Sequence, residues 1–340
     1  METKHIFYTR NSNNLDCIPD KSVQLIVTSP PYPMIEMWDS VFSSQNSEIA
    51  SDITNNPNIA FHKMHDILNK VWIECDRVLD DNCFICINIG DAVRTINDKF
   101  QLYSNHTEII NFFSNLGYSV LPDINWHKTT NAPNKFMGSG MYPAGAYVTY
   151  EHEYILIFRK GGKRIFTGEN KKRRQKSAYF WEERNVWFSD LWDIRGTSQI
   201  ITNTKTRERN ASFPFEIPYR LVNMYSVEGD TVLDPFGGLG TTSLACMASQ
   251  RNSISIDIDP EITSIALMNA SLSHLQLNNI ICTRINRHLD FIKSLSEDKP
   301  AKYINNNHGF PVKTQQERDL KIDQIKEIKT EDKEILCNYE

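Results

Sequence analysis

Apolar positions along this chain fall into short runs that alternate between two periods. Residues 23–28 contain the continuous run Leu25-Ile26-Val27, which has the length and β-branched character of a buried strand. From 61 to 79 the pattern changes: Met64, Ile67, Leu68, Val71, Trp72, Cys75 and Leu79 return at steps of three and four, as on one helix face. Asp80-Asp81-Asn82 then turns the chain into a strand over 83–89 that ends at Gly90-Asp91. A helix over about 103–116 stops at Gly117, a residue suited to the left-handed conformation at a helix C-terminus. Strand-like runs at 124–126 and 152–158 flank a Gly/Pro/Asn loop at 129–145. From Phe213 the alternation resumes: a helix near 217–225, the strand Val232-Leu233, a glycine loop, a helix near 242–249, a strand over 253–258 and a helix after Pro260. Strands alternating with helices predict an α/β sheet.

Three stretches interrupt this pattern. Residues 34–60 are Asn/Ser-rich and read as a mobile insertion. Residues 160–210 combine a basic stretch with the aromatics Tyr179, Phe180, Trp181, Trp187, Phe188 and Trp192, a texture that marks a separate small module. The tail, 298–340, is dense in mixed charge, and Leu320, Ile322, Ile325, Ile328 and Leu336 permit a terminal helix.

Composition narrows the class. The 340 residues are 40% apolar and 11% aromatic, ordinary for a well-packed protein, and no run of 18 apolar residues offers a membrane span. The first residues lack the apolar core of a signal peptide. Seven scattered cysteines fit reduced thiols in a cytoplasm, and Cys83 and Cys86, though spaced CxxC, sit inside an apolar run with no second pair, so no metal is expected. The net charge of −5 speaks against a polyanionic partner, but its distribution does not. Between Arg159 and Lys176, nine Lys/Arg face one acid, Glu169, and local potential rather than total charge steers a nucleic acid.

Two motifs carry the chemistry. Thr28-Ser29-Pro30-Pro31-Tyr32 ends the first strand, and its prolines force the backbone out of the sheet in a rigid turn. A hydroxyl, outward carbonyls and an aromatic ring at such a turn suit a planar heterocycle bearing an amino group. The second motif, Asp234-Pro235-Phe236-Gly237-Gly238-Leu239-Gly240-Thr241-Thr242, joins a strand to a helix. Its glycines allow close approach of a ligand, and Asp257, at the end of the next strand, is spaced to accept hydrogen bonds from a ribose diol. No Lys follows the glycines, against a P-loop, and the string is not GxGxxG, against a dinucleotide.

The pair TSPPY and DPFxGxGTT resembles the signature of DNA amino-methyltransferases, which use S-adenosyl-L-methionine to methylate exocyclic amines. With the PPY turn first and the glycine loop last, the order resembles the permuted β class. The likeness runs from about residue 7 to 277 and includes 28–39 (TSPPYPMIEMWD), 134–140 (NKFMGSG), 151–160 (EHEYILIFRK) and Phe213-Pro214. It implies a Rossmann-like class I methyltransferase fold with circularly permuted motif order plus an inserted target-recognition module. The divisions are then a catalytic half (1–159), the recognition module (160–210), a cofactor half (211–297) and the charged tail (298–340).

By the same resemblance Ser29, Pro30, Pro31 and Tyr32 form the catalytic turn. Asp234, Pro235, Phe236, Gly238, Gly240, Thr241, Thr242 and Asp257 hold S-adenosyl-L-methionine. Double-stranded DNA is the partner, gripped by Lys160, Lys163, Arg164, Lys171, Lys172, Arg173, Arg174, Arg195 and Arg207, with Lys205 and Arg209 as further candidates. Serine before Pro-Pro-Tyr points to cytosine N4; the alternative is adenine N6, and an RNA methyltransferase or a silent DNA-binding protein stands further off. No cysteine adjoins the turn, against the C5-cytosine mechanism with its Cys nucleophile. The family also implies a cognate restriction endonuclease acting on one short palindrome, with CTAG as a candidate. One departure is Asn11, where relatives often carry Asp. Trp126 and His127 stand near the proposed base pocket, though a strand-end Trp is more often core.

Overall fold

The continuous apolar runs become central strands because both of their faces are covered. The computed structural model describes residues 1–128, 137–138, 142–195, 213–296 and 300–340. Strands β1 (Glu2–Thr9), β2 (Val23–Thr28), β3 (Leu79–Ile89), β4 (Ile124–His127), β5 (His152–Arg159), β6 (Leu191–Asp193), β7 (Thr231–Asp234), β8 (Asn252–Asp257), β9 (Ile325–Glu331) and β10 (Glu334–Tyr339) share one sheet in the order β6-β4-β5-β3-β2-β7-β8-β1-β10-β9. The five central strands, β3, β2, β7, β8 and β1, are parallel. Helix α1 (Pro57–Val78) and α2 (Asn105–Asn115) supply Met64, Leu68, Trp72 and Phe113 to the core on one face. On the other, α3 (Glu216–Tyr225), α4 (Thr241–Met247), α5 (Pro260–Leu272) and α6 (His274–Ser294) supply Leu221, Val222, Ala245, Ala266 and Leu277.

This topology places the site. The chain leaves β2 toward β3 on one side and leaves β7 toward β8 on the other, yet β2 and β7 are neighbours, with Val232 opposite Leu25 and Leu233 opposite Ile26. Ligands of open α/β sheets bind at the carboxyl ends of two strands that diverge in this way. The TSPPY turn leaves one of them and the glycine loop the other.

The three interrupting stretches differ from expectation. Residues 34–60 form ordered helical segments, Asp39–Gln45 and Glu48–Asn55, because Phe42, Ile49 and Ile53 bury among the Asn and Ser. Among the described residues the tail forms no terminal α-helix, only the short 3-10 helix Gln315–Glu317: Ile335, Cys337 and Tyr339 are buried with the two-residue period of a strand, and β10 pairs antiparallel with β1. Within 160–210, β6 is the edge strand of the main sheet beside β4, Phe180 and Trp192 are buried in its core, and Trp187 is buried edge-on to Tyr219. The aromatic part of that stretch is therefore packed into the body, whereas the basic helix Gly168–Lys176 has no buried residue, and 196–210 lies outside the described residues. Among the described residues no helix is long and apolar enough to cross a membrane.

Candidate active site

Both motifs open onto one cavity of about 470 Å³, the size of a small-molecule site. Ser29, Pro30, Pro31 and Tyr32 line it from β2; Asp234, Pro235, Phe236, Gly237, Gly238 and Thr241 line it from β7, and Asp257 from β8. Trp38, Val41 and Phe42, from the ordered 34–60 segment, form a further wall that the polar sequence had concealed. Asn11 also lines it; its Oδ1 accepts the Asn13 N–H at 3.0 Å, and its Nδ2 donates to Gln45 Oε1 at 3.1 Å.

The glycine loop is shaped by what lies behind it. A Cβ on Gly237 would stand 1.9 Å from Ser255 Oγ and 3.2 Å from the Ile256 nitrogen, so the loop lies against β8 where any side chain would press on it. Gly237 donates its N–H to the Ile256 carbonyl at 2.7 Å, which fixes the loop against β8. Sequence reasoning passed over Gly237 in favour of Gly238 and Gly240. Gly240 does not line the cavity: it adopts φ +81° at the start of α4, and a Cβ there would meet Phe7 and Ala266 at 3.3 Å.

Asp234 and Thr242, expected to hold cofactor, are tied chiefly to the protein. Asp234 is buried; its Oδ1 accepts Thr28 Oγ1 at 2.6 Å and the Phe236 N–H at 3.1 Å, and its Oδ2 accepts Thr242 Oγ1 at 2.7 Å. One carboxylate thus joins the residue before Ser29, the glycine loop and α4. Burial raises its pKa to about 6, against the pull of these hydrogen bonds. Asp257 lines the cavity while bonded to the chain: Oδ2 takes the Gly238 N–H at 3.0 Å and Oδ1 the Asp259 N–H at 2.9 Å. Burial raises its pKa, and those N–H groups oppose the rise.

At the other wall Tyr32 packs so closely on Gly90 that a Cβ there would lie 3.0 Å from its Cε2. Asn105, fully buried, donates Nδ2 to the Pro33 carbonyl at 3.1 Å and the Gly90 carbonyl at 2.9 Å, clamping the turn to the end of β3. Trp126 is a core residue, as its strand-end position suggested, with Nε1 donating to the Ile194 carbonyl at 2.9 Å. Neither Trp126 nor His127 lines the cavity.

The basic stretch is not brought to this site. Strand β5 runs antiparallel to β3, so Arg159 and the residues just after it lie at the amino ends of the parallel strands, opposite Ser29. Five of its cations, Lys160, Arg164, Lys172, Arg173 and Lys176, are engaged within the protein. Arg164 makes a two-point bridge to Asp230 at 2.6 and 2.8 Å, Lys160 Nζ donates to the Asp76 carbonyl at 2.6 Å, and Arg173 Nε to the Glu228 carbonyl at 2.9 Å. Lys172 pairs with Glu169, Arg174 lies over Phe166, and Lys163 and Lys171 are exposed on the same side. Arg195 alone of the described candidates follows a strand, β6, that ends on the same side as β2. Arg207, Lys205, Arg209 and the 134–140 string, apart from the strand Met137–Gly138, lie outside the described residues.

The comparisons agree with this geometry. A DNA methylase family model for N6 and N4 methyltransferases matches residues 23–268. The chain is 48% identical over 326 residues to the Type II methyltransferase M.MthZI of Methanothermobacter thermautotrophicus, covering 95% of this chain and 91% of that protein. It is 47% identical over 275 residues to M.MjaI of Methanocaldococcus jannaschii, covering 77% and 90%. Among solved structures it resembles TTHA0409, a candidate DNA modification methylase of Thermus thermophilus in complex with S-adenosyl-L-methionine, with TM-score 0.62, 29% identity and coverage of 78% and 93%. The Gly237 close approach, the Asp257 acceptor and the cavity volume all fit that cofactor. The chain therefore belongs to the N6/N4 DNA methylase family: it is a DNA methyltransferase whose methyl donor is S-adenosyl-L-methionine.

Proposed function

We propose that the chain methylates the exocyclic N4 amine of a cytosine flipped out of a short duplex site. The observation that carries this reading is that Ser29 and Tyr32 line the same cavity as the glycine loop and Asp257. When bound, S-adenosyl-L-methionine supplies an electrophilic methyl sulfonium. Phe236, Gly238 and Thr241 border its place, and Asp257 accepts from its ribose hydroxyls. The N4 amine is a poor nucleophile, conjugated with its ring. The Ser29 hydroxyl and the Pro30 carbonyl accept its two hydrogens and turn its lone pair toward the methyl group. Flipping costs a few kcal/mol, and stacking on Tyr32 returns about 1–3 kcal/mol. Positioning and local electrostatics do the rest, without a covalent enzyme intermediate.

Serine rather than aspartate at position 29 supports cytosine over adenine. Phosphate contacts belong on the side where β2, β4 and β6 end, which favours Arg195 over Lys160–Arg174. The protein acts in a cytoplasm, protecting a site that a cognate endonuclease would cut, with CTAG the first sequence to test. DNA from a methylation-free host expressing the chain, digested to nucleosides and analysed by mass spectrometry, should contain N4-methylcytosine. N6-methyladenine in its place would overturn the base assignment, and mapping the modified positions would give the site.

A further inference from the structure

Behind Ser29 lies a polar chain that no motif announced. Glu153, on β5, is 8% exposed. Its Oε2 accepts the Tyr32 hydroxyl at 2.8 Å and Asn88 Nδ2 at 2.7 Å, and its Oε1 accepts Lys128 Nζ at 2.5 Å. Asn88, on β3 and buried, also brings Nδ2 to 2.7 Å from the Tyr32 oxygen. Ser29 Oγ stands 3.1 Å from that same oxygen.

Donor chemistry fixes the direction of each proton. A carboxylate beside a lysine only accepts. Tyr32 therefore gives its single proton to Glu153, and burial followed by the Glu153 charge raises its pKa well above the ordinary value, so the proton stays. Asn88 turns its amide nitrogen, not its oxygen, toward the carboxylate, and its two hydrogens serve Glu153 and Tyr32. With its proton committed, the Tyr32 oxygen can only accept from Ser29. The Ser29 hydroxyl hydrogen points at Tyr32, and Oγ presents lone pairs to the cavity.

We propose that Glu153 is the positioning residue that makes Ser29 an acceptor, so that the pocket selects an exocyclic amine over a ring carbonyl. This rests on Ser29 being the group that meets the base. Without Glu153 the Tyr32 proton is free to turn to Ser29, whose own hydrogen then faces the cavity and suits a carbonyl instead.

The test uses the full chain with S-adenosylhomocysteine and duplexes carrying the mapped site. The target base is either its amino form or the oxo counterpart: cytosine against uracil, or adenine against hypoxanthine if the product is N6-methyladenine. The opposite base is unchanged, so the easier flipping of the mismatch cancels between proteins. Wild type should bind the amino duplex at least about tenfold more tightly than the oxo duplex, the cost of facing two acceptors together. Glu153→Ala should lower that ratio about tenfold at unchanged cofactor affinity. Glu153→Gln, whose carbonyl still accepts from Tyr32, should restore most of it. A purely structural role would weaken both duplexes alike and leave the ratio intact, which would overturn the proposal. A wild type blind to amino against oxo would overturn the Ser29 reading itself. If Glu153→Ala also loses cofactor affinity, Tyr32→Phe decides, since it breaks the same proton order one step closer to Ser29.

Discussion

Gly237→Ala is the sharpest perturbation of the cofactor loop. The new methyl would sit 1.9 Å from Ser255 Oγ, 3.1 Å from Ser255 Cβ and 3.2 Å from the Ile256 nitrogen. The first distance is far inside van der Waals contact and must be relieved by movement; the other two are tight but tolerable. Turning the hydroxyl about its Cα–Cβ bond relieves only the first contact; Ser255 Cβ and the Ile256 nitrogen belong to a central strand with neighbours on both edges and stay in place. The loop must therefore lift from β8, weakening the Gly237 N–H bond to Ile256 and displacing Gly238 from Asp257. Overpacking of this kind costs about 1–3 kcal/mol, and a comparable loss in cofactor binding raises the dissociation constant about 5- to 150-fold. Calorimetric titration with S-adenosyl-L-methionine measures the second effect and urea unfolding the first. Ser255→Ala removes the 1.9 Å contact but not the other two, so Gly237→Ala with Ser255→Ala should recover part of both losses. Wild-type cofactor affinity in Gly237→Ala, or no recovery in the double variant, would refute the account of the loop.

The site makes three further predictions. The raised carboxyl of Asp234, about 6 against near 4 in an unfolded chain, means that its ionisation opposes folding: its contribution is most favourable below pH 4 and declines as pH rises through 6, by on the order of 3 kcal/mol. The stability of wild type relative to Asp234→Asn should therefore fall between about pH 4.5 and 7 in urea melts, and a difference constant over that range would rule the assignment out. Gly90→Ala should press on the Tyr32 ring and lower methyl transfer at least about tenfold while cofactor affinity stays unchanged, since a small misplacement at a reacting group is costly; an unimpaired rate would mean the ring is not held by that contact. In DNA binding, Lys171→Ala with Lys172→Ala should leave the salt slope unchanged, whereas Arg195→Ala should reduce it by about 0.9. The reverse result would move the DNA to the other end of the sheet.

What the sequence displayed well was local. Proline pairs and glycine clusters dictate backbone geometry within a few residues, so the TSPPY turn and the DPFGGLGTT loop stood out, and the strand run before each gave its position. What it hid was decided by pairing between distant segments. Glu153, Asn88 and Lys128 come from three separate segments and meet only through the register β4-β5-β3. The basic stretch could not be placed from sequence, because charge clustering along a chain says nothing about which end of a sheet it will occupy; the reversed direction of β5 carries it to the amino ends of the parallel strands. The tail was ambiguous for another reason. Its charged positions mask a short alternation at Ile335, Cys337 and Tyr339 that stabilises a strand only because β1 offers a free edge.

The Asp234 carboxylate gives the two halves of the site a common hinge pin. Thr28 leads into the residues that face the base, Phe236 and Thr242 belong to the loop and helix that face the cofactor, and all three hydrogen-bond to the same two oxygens. On the function proposed above, a shift of either segment is felt at the same two oxygens, so the two pockets share a single buried group. Such coupling is reciprocal: whatever factor cofactor binding adds to the affinity for the flipped base, the base returns to the cofactor.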